Sequence, residues 1–279
     1  MNYRTAKADI ATTLSPTRAP VAVPGVTRIR LWDLPVRIFH WSLVVAVLVA
    51  FVTAKLGGDW MDWHGRAGLA IVGLVTFRVV WGVNGSTHAR FLSFAPTPSR
   101  LRAYLTGRWH GVGHNPLGAL SVFGLLALLA VQAGTGLFSN DDIAFDGPLS
   151  GLIEKARSDS LTGLHHQLSN VLLVLLGLHI LAIAFYLLVK KHDLIKPMLT
   201  GWKHAQGRHI AQRGTRGGSP LGLAIALLAA VAAVYAASGK LLHERTVPAA
   251  PPAAAATSAP TSPSASPPAA TLHSSTPGW

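Results

Sequence analysis

Four histidines in this chain have a spacing that could hold two metal-centred cofactors. His165 and His179 lie fourteen residues apart in one apolar stretch, and His40 and His64 lie near the start of two others. Fourteen residues of α-helix is about four turns. The two imidazoles therefore project ~40° apart around the axis and ~21 Å apart along it. That separation approaches the ~30 Å thickness of a bilayer's hydrocarbon core, where ionisable side chains are rare and usually functional. The pattern points to two stacked metal or haem sites, one per leaflet.

The elements that must position these residues follow from hydropathy. Half of the 279 residues are apolar and 13% are charged, with a mean hydropathy of +0.39. The apolar residues gather into five stretches near the ~20 residues a spanning helix needs: roughly 36–56, 64–83, 116–138, 165–189 and 220–238. The expected fold is all-α, an integral membrane helical bundle with a four-helix di-haem core plus a fifth transmembrane helix. Residues 1–35 form a polar cytoplasmic arm without an apolar signal core, so the first span acts as a signal-anchor. Residues 36–192 form the haem domain, 193–219 a basic cytoplasmic loop, 220–238 the fifth span and 239–279 a Pro/Ala-rich tail. The tail composition cannot bury a core and reads as disordered.

Charge sets the orientation. A net charge of +13 is common in nucleic-acid binders, but here the basic residues cluster in alternate connections, and no nucleic-acid partner is expected. Arg4, Lys7, Arg18, Arg28, Arg30 and Arg37 precede His40. Arg90, Arg100, Arg102 and Arg108 occupy the second connection, which has no acid. Seven Lys and Arg face one Asp193 in the fourth. The first connection offers Asp59 and Asp62, and the third carries five acids, Asp141, Asp142 and Asp146 among them. The positive-inside rule then places the N-terminus in the cytoplasm and, after five spans, the C-terminus in the periplasm of a bacterial inner membrane.

With that topology the histidines pair by depth. His64 and His165 fall at the periplasmic face, and His40 and His179 in the cytoplasmic half. Each pair joins two helices, as a haem clamped in a bundle requires. His166 competes with His165, but thirteen residues to His179 leaves ~140° between the side chains. His165 is therefore the expected ligand, with His166 at the interface. Zinc is a competing ligand set, yet structural zinc gathers four ligands at one point, whereas these divide two and two. The chain has no cysteine, which excludes thiolate metal sites and C-x-x-C-H haem attachment within it. Bis-histidine b-type haem fits best.

Other residues carry alternatives. Gly68, one turn after His64, leaves room for a flat ring or lets helices pack closely. Arg78 lies within an apolar helix and needs an anion that no acid inside a span supplies. A haem propionate would serve, or the side chain snorkels to the membrane surface. His114 either meets a propionate or quinone headgroup or caps the helix beside Pro116, the second being the expected role. His88, His110, His192, His204 and His209 sit in basic loops and read as solvated surface. His243 and His273 belong to the tail.

The chain resembles the bacterial cytochrome b561 / nickel–iron hydrogenase b-type cytochrome family. The resemblance is carried by Leu31-Trp32-Asp33-Leu34-Pro35-Val36-Arg37-Ile38-Phe39-His40-Trp41, by Trp63-His64 with Gly68 and Arg78, by Gly113-His114-Asn115-Pro116-Leu117-Gly118, and by His165 with Gly177-Leu178-His179. It covers about residues 28–240. It implies a haem-bearing bundle of four core helices in which His40, His64, His165 and His179 are axial ligands to two haem b groups.

The expected function is electron transfer between a periplasmic redox partner and the membrane quinone pool of a respiratory chain. Bis-histidine ligation leaves no open iron position. The partners expected are membrane lipid, quinone and a periplasmic cytochrome or dehydrogenase subunit. The acidic third connection is either a docking surface for a basic carrier or the topological complement of the inner loops, the second being preferred. Alternatives are a membrane-anchor subunit of a periplasmic dehydrogenase such as a hydrogenase, a superoxide:quinone oxidoreductase, and a transporter whose histidines relay protons. A transporter would more often show broken helices or inverted repeats, and the sequence shows neither.

Overall fold

The computed structural model describes residues 27–109, 111, 113–205 and 217–241. The expectations for the arm before residue 27, for His110 and His209, and for the tail with His243 and His273 lie outside the described residues. Five helices are long and apolar enough to cross a membrane: α1 (Leu34–Leu56), α2 (Met61–Asn84, entered through a 3-10 turn at Gly58–Trp60), α5 (Pro116–Gly136), α6 (Lys155–Leu188) and α8 (Pro220–Ala237). Short helices α3 (Phe91–Phe94) and α4 (Pro98–Leu105) join α2 to α5, and α7 (Ile195–Thr200) follows α6.

Three spanning helices start with one local device. Asp33, Asn115 and Ser219 sit in extended backbone, each followed by a proline in the first turn, and each side chain accepts the backbone N–H three residues on. The side chain satisfies an orphan donor, and the proline has no N–H to orphan. Gly57, at φ +65°, ends α1 and donates its N–H to Thr53 O at 3.0 Å.

α6 begins ten residues before the expected span. Its 34 residues rise ~51 Å, more than a bilayer core needs. The first three turns are polar, so hydropathy marks the lipid-crossing part of the helix and not its start. Ser158 and Thr162 in those turns bond to the α5–α6 loop, which holds them in place.

The polar arm also gives rise to a strand. Thr27–Arg30 (β1) pairs antiparallel with Trp202–Ala205 (β2), Arg28 opposite His204 and Arg30 opposite Trp202. Ile29 turns inward while Arg28 and Arg30 stay exposed, the period-2 alternation of a half-buried strand. Ile29, Leu31 and Trp32 join Val36, Phe39, Phe77, Trp81, Ala89 and Ala226 in one core cluster. This cluster seals the end of the bundle that carries the basic connections.

A second cluster, Ala46, Ile71, Val75, Leu129 and Leu172, joins α1, α2, α5 and α6 at mid-depth. α8 packs on the other side of α2. A Cβ on Gly73 would lie 2.7 Å from Val234 Cγ2, and Ala226 is fully buried. The fifth helix therefore buttresses the four-helix core without lining its interior.

Candidate haem sites

The acidic end of the bundle holds the more complete site. His64, in the first turn of α2, and His165, three turns into α6 where its spanning part begins, lie with ring centres 6.0 Å apart and planes at 87°. Both Nδ1 atoms are engaged. His64 Nδ1 lies 2.9 Å from Ala50 O of α1, and His165 Nδ1 lies 2.9 Å from Gln132 O of α5. A ring that donates Nδ1–H to a carbonyl leaves Nε2 unprotonated, the tautomer a metal ligand needs. The His64 ring meets that condition, whereas the His165 Nε2 has the Gln132 side-chain nitrogen 3.2 Å away, an amide that must swing aside for the imidazole to bind a metal. Two imidazoles on opposite sides of one metal, each bonded at ~2 Å, bring their ring centres ~6 Å apart. The donor set and spacing fit a bis-histidine haem iron.

The space fits as well. A cavity of about 450 Å³ opens around the two rings, lined on its apolar side by Val47, Ala50, Ile71, Leu129 and Leu172. That volume lies in the usual range for small-molecule and cofactor sites. Gly68 borders it, and a Cβ there would meet nothing within 4 Å. The glycine faces open volume and not a packed helix. His166 is exposed, whereas His165 is partly covered.

Sequence reasoning missed the residues that hold His165. A Cβ on Gly136 would lie 2.9 Å from His165 Cε1, so the glycine lets the imidazole lie against α5. Thr135 Oγ1 is 3.3 Å from His165 Nδ1, and the Gln132 side chain donates to His165 O at 3.1 Å. Glycine and polar residues in the last turn of an otherwise apolar helix were the available signal.

The basic end is less satisfied. His40 of α1 and His179 of α6 lie within electrostatic reach of each other. His179 Nδ1 is 3.3 Å from Ser121 Oγ of α5. His40 Nδ1 is buried with no hydrogen-bond partner among the described residues. Arg78 is buried, its guanidinium 4.6 Å over the Phe91 ring, and its Nη1 is also unpartnered. A buried, orphaned guanidinium nitrogen calls for an anion, which a haem propionate would provide. Arg78 is thus interior, not snorkelling.

An acid does stand near Arg78. Asp33, the N-cap of α1, is buried just outside the span and interacts electrostatically with it. Its oxygens already accept from Val36 N at 2.8 Å and Trp81 Nε1 at 3.1 Å, which leaves the Arg78 Nη1 unanswered.

Two expectations about loop histidines need correction. Asn115, not His114, caps α5, accepting from Gly118 N at 2.6 Å. His114 instead lies between Trp32 and Phe94, ring centres 4.6 and 4.4 Å away, with Nδ1 buried and unpartnered. Desolvation, with Arg78 and then His88 adding, pushes it down to about 3, so the imidazole is neutral at any ordinary pH. His88 is likewise not solvated surface. It is half-buried, lowered by burial, and lines a cavity of about 230 Å³ with Arg100, Trp109 and His114. The compaction of α3 and α4 under the bundle, invisible to loop composition, covers both.

Among the described residues, no three or more His, Asp or Glu gather at one point to hold a metal ion. The four histidines lie two and two, at opposite depths.

Comparison with known proteins bears on the same residues. A family model described as prokaryotic cytochrome b561 matches residues 31–201, a range that includes all four histidines. The chain is 26% identical over 220 residues to the probable Ni/Fe-hydrogenase B-type cytochrome subunit of Azotobacter chroococcum mcd 1, covering 63% of this chain and 89% of that one. The corresponding protein of Azotobacter vinelandii aligns with the same identity and coverage. The probable Ni/Fe-hydrogenase 1 B-type cytochrome subunit of Escherichia coli (strain K12) is 23% identical over 158 residues, 44% of this chain and 66% of that one. No solved structure matches.

Proposed function

This chain belongs to the prokaryotic cytochrome b561 family and is a membrane b-type cytochrome, and from that premise we propose that it carries two bis-histidine haem b groups and conducts electrons across the membrane. His64 and His165 hold the haem at the acidic end, and His40 and His179 the one at the basic end. The observation that carries the reading is the opposed His64 and His165 rings, 6.0 Å apart with both Nδ1 atoms fixed on carbonyls of neighbouring helices.

Each haem supplies reversible one-electron exchange. The chain supplies the rest. With two imidazoles to hold each iron, no position would be left for a substrate, and the chemistry supplied would be outer-sphere electron transfer. Ala50 O and Gln132 O orient the ligands. The apolar lining from α1, α2, α5 and α6 keeps water out. At the basic end, the unpartnered Arg78 Nη1 would hold a propionate, with neutral His114 in the same region.

The charge asymmetry of the connections supports a cytoplasmic position for the basic end and a periplasmic one for the acidic end, in a bacterial inner membrane. Electrons pass between a periplasmic redox partner and the quinone pool. The relatives' names favour a more specific form of this reading, in which the partner is a dehydrogenase such as a hydrogenase and this chain is its membrane subunit. Co-purification of a large periplasmic subunit from native membranes separates that form from a free-standing cytochrome.

The test of the core reading is optical. The detergent-purified full chain shows a reduced-minus-oxidised b-type spectrum, and pyridine haemochrome analysis gives two haems per chain. His64→Ala and His40→Ala each remove one. A colourless chain, or both haems retained in either variant, ends the proposal.

A further inference from the structure

The connection between α5 and α6 is tied down over the acidic-end site. Asn140 and Asp146 form an antiparallel bridge. Asp141 N donates to Phe145 O at 3.0 Å, and Gly147 N to Ser139 O at 2.7 Å. The Asp141 carboxylate accepts three successive backbone N–H groups, from Ile143, Ala144 and Phe145, at 2.9, 2.9 and 2.8 Å. The loop closes so tightly that a Cβ on Gly147 would lie 2.6 Å from the carbonyl oxygens of Gly136 and Leu137. No other residue fits there.

The closed loop is also stapled to α6. Asn140 donates through Nδ2 to Ser158 Oγ at 2.5 Å and Asp159 Oδ1 at 3.0 Å, and through its backbone N to Thr162 Oγ1 at 3.1 Å. Ser158 donates to Phe138 O at 2.7 Å, and Lys155 pairs with Asp142 at 2.5 Å. These bonds fix where the loop sits relative to the helix that carries His165.

One side chain on the loop turns back into the site. The Phe145 ring stands edge-on to His64, centres 6.4 Å apart and planes at 82°. It also lies against the next residue, where a Cβ on Gly65 would be 3.1 Å from Phe145 Cε2. Phe145 is half-buried and borders the cavity, while Ile143 at the loop tip is 91% exposed. Held at Nδ1 by Ala50 O, the imidazole retains freedom to tilt about that bond. An edge-on aromatic contact removes it.

We propose that Phe145 is a positioning residue for His64, and that the 139–147 loop is a fixed cap holding this ring against the imidazole and shutting water away from the acidic-end cofactor. The inference rests on the reading of His64 and His165 as haem ligands. Ligand orientation and local dielectric both set a haem's potential. Low dielectric disfavours the oxidised, more positive iron, so opening the cap stabilises the oxidised state and lowers the potential of that haem alone.

The experiment is a redox titration and low-temperature EPR of the purified full chain. Phe145→Ala keeps two haems, lowers one midpoint potential and alters the g-anisotropy of that haem, leaving the other unmoved. Phe145→Leu restores apolar cover and returns the potential toward wild type, but does not restore the EPR signal of the native ring plane. Asp141→Ala, which frees the loop without touching the ring, moves the same haem in the same direction by less, and it decides the matter if Phe145→Ala does not fold. Unchanged potentials and spectra with both haems bound, or equal shifts of both, overturn the cap. If instead His64→Ala retains both haems, the ligand assignment fails, whatever Phe145 does.

Discussion

The two ends of the bundle solve one problem differently. At the acidic end both imidazoles are oriented by backbone carbonyls, and a glycine on each of two helices, Gly68 and Gly136, leaves space where it is needed. At the basic end, the buried Nδ1 of His40, Nη1 of Arg78 and Nδ1 of His114 have no partner among the described residues. The first site is organised around its ligands. The second is organised around a buried cation, the Arg78 guanidinium, whose Nη1 lacks an acceptor among the described residues; the unpartnered buried atom at the acidic end is an amide oxygen, Gln132 Oε1. A pre-oriented ligand pair chiefly sets geometry, and a buried cation chiefly sets electrostatics.

The largest expected effect tests whether the ends are separate sites at all. His165→Ala removes the acidic-end haem and His179→Ala the basic-end one, each halving the haem per chain in a pyridine haemochrome assay. Loss of both from either variant would make the two ends one cooperative unit and erase the contrast.

Next comes the charge. Arg78→Leu leaves two haems but lowers the basic-end potential, since a nearby cation favours the reduced, less positive iron. At an effective dielectric of ~20 and a separation of several ångströms, the change is on the order of 2 kcal/mol. Arg78→Lys keeps the charge without the fork and falls between. A redox titration in which both potentials shift equally would refute a local role.

A smaller effect distinguishes packing at the acidic end. Gly136→Ala places a methyl 2.9 Å from His165 Cε1, so the imidazole must give way by a few tenths of an ångström. The haem stays, and its EPR g-values shift. Gly68→Ala, whose Cβ meets open space, leaves those values closer to wild type. Reversal of that order would mean that Gly68, not Gly136, sets the ligand's place.

Much of this was legible in the sequence. Five apolar stretches gave five helices, because hydropathy over ~20 residues reports a physical length. Helical phase separated His165 from His166 by ~140° against ~40°; in the structure the first is partly covered and the second exposed, and both border the cavity. What stayed hidden depends on contacts far apart in sequence. The β1–β2 ribbon joins residues that are 172 to 178 apart, with only Ile29 hinting at alternation. His88 and His114 read as loop residues because nothing local shows that Trp32 and Phe94 close over His114, or that His88 shares a cavity with Arg100 and Trp109. Asp33 stands in the sequence only as part of a motif; that it caps α1 and lies near Arg78 emerges when α1 forms and packs on α2. Gln132 and Gly136 serve His165 from another helix, so no spacing rule connects them.

The smallest effect concerns the acidic end alone. Three backbone N–H bonds favour the charged form of Asp141 and hold its carboxyl below the usual carboxylate range. A depressed folded-state value contributes stability that is present above the ordinary carboxylate value of ~4 and lost as pH falls through the lower, folded one. Asp141 is fully solvated, so the effect on the whole fold is slight. Its consequence is local: on acidification below pH ~4 the 139–147 loop loosens. Hydrogen exchange at the amides of residues 143–145, corrected for the intrinsic pH dependence, shows lost protection in that range. Asp141→Asn removes the titration and gives reduced, pH-independent protection. If protection in the native chain is flat with pH, the carboxylate is not the latch, and the loop is held by its bonds to α6 instead.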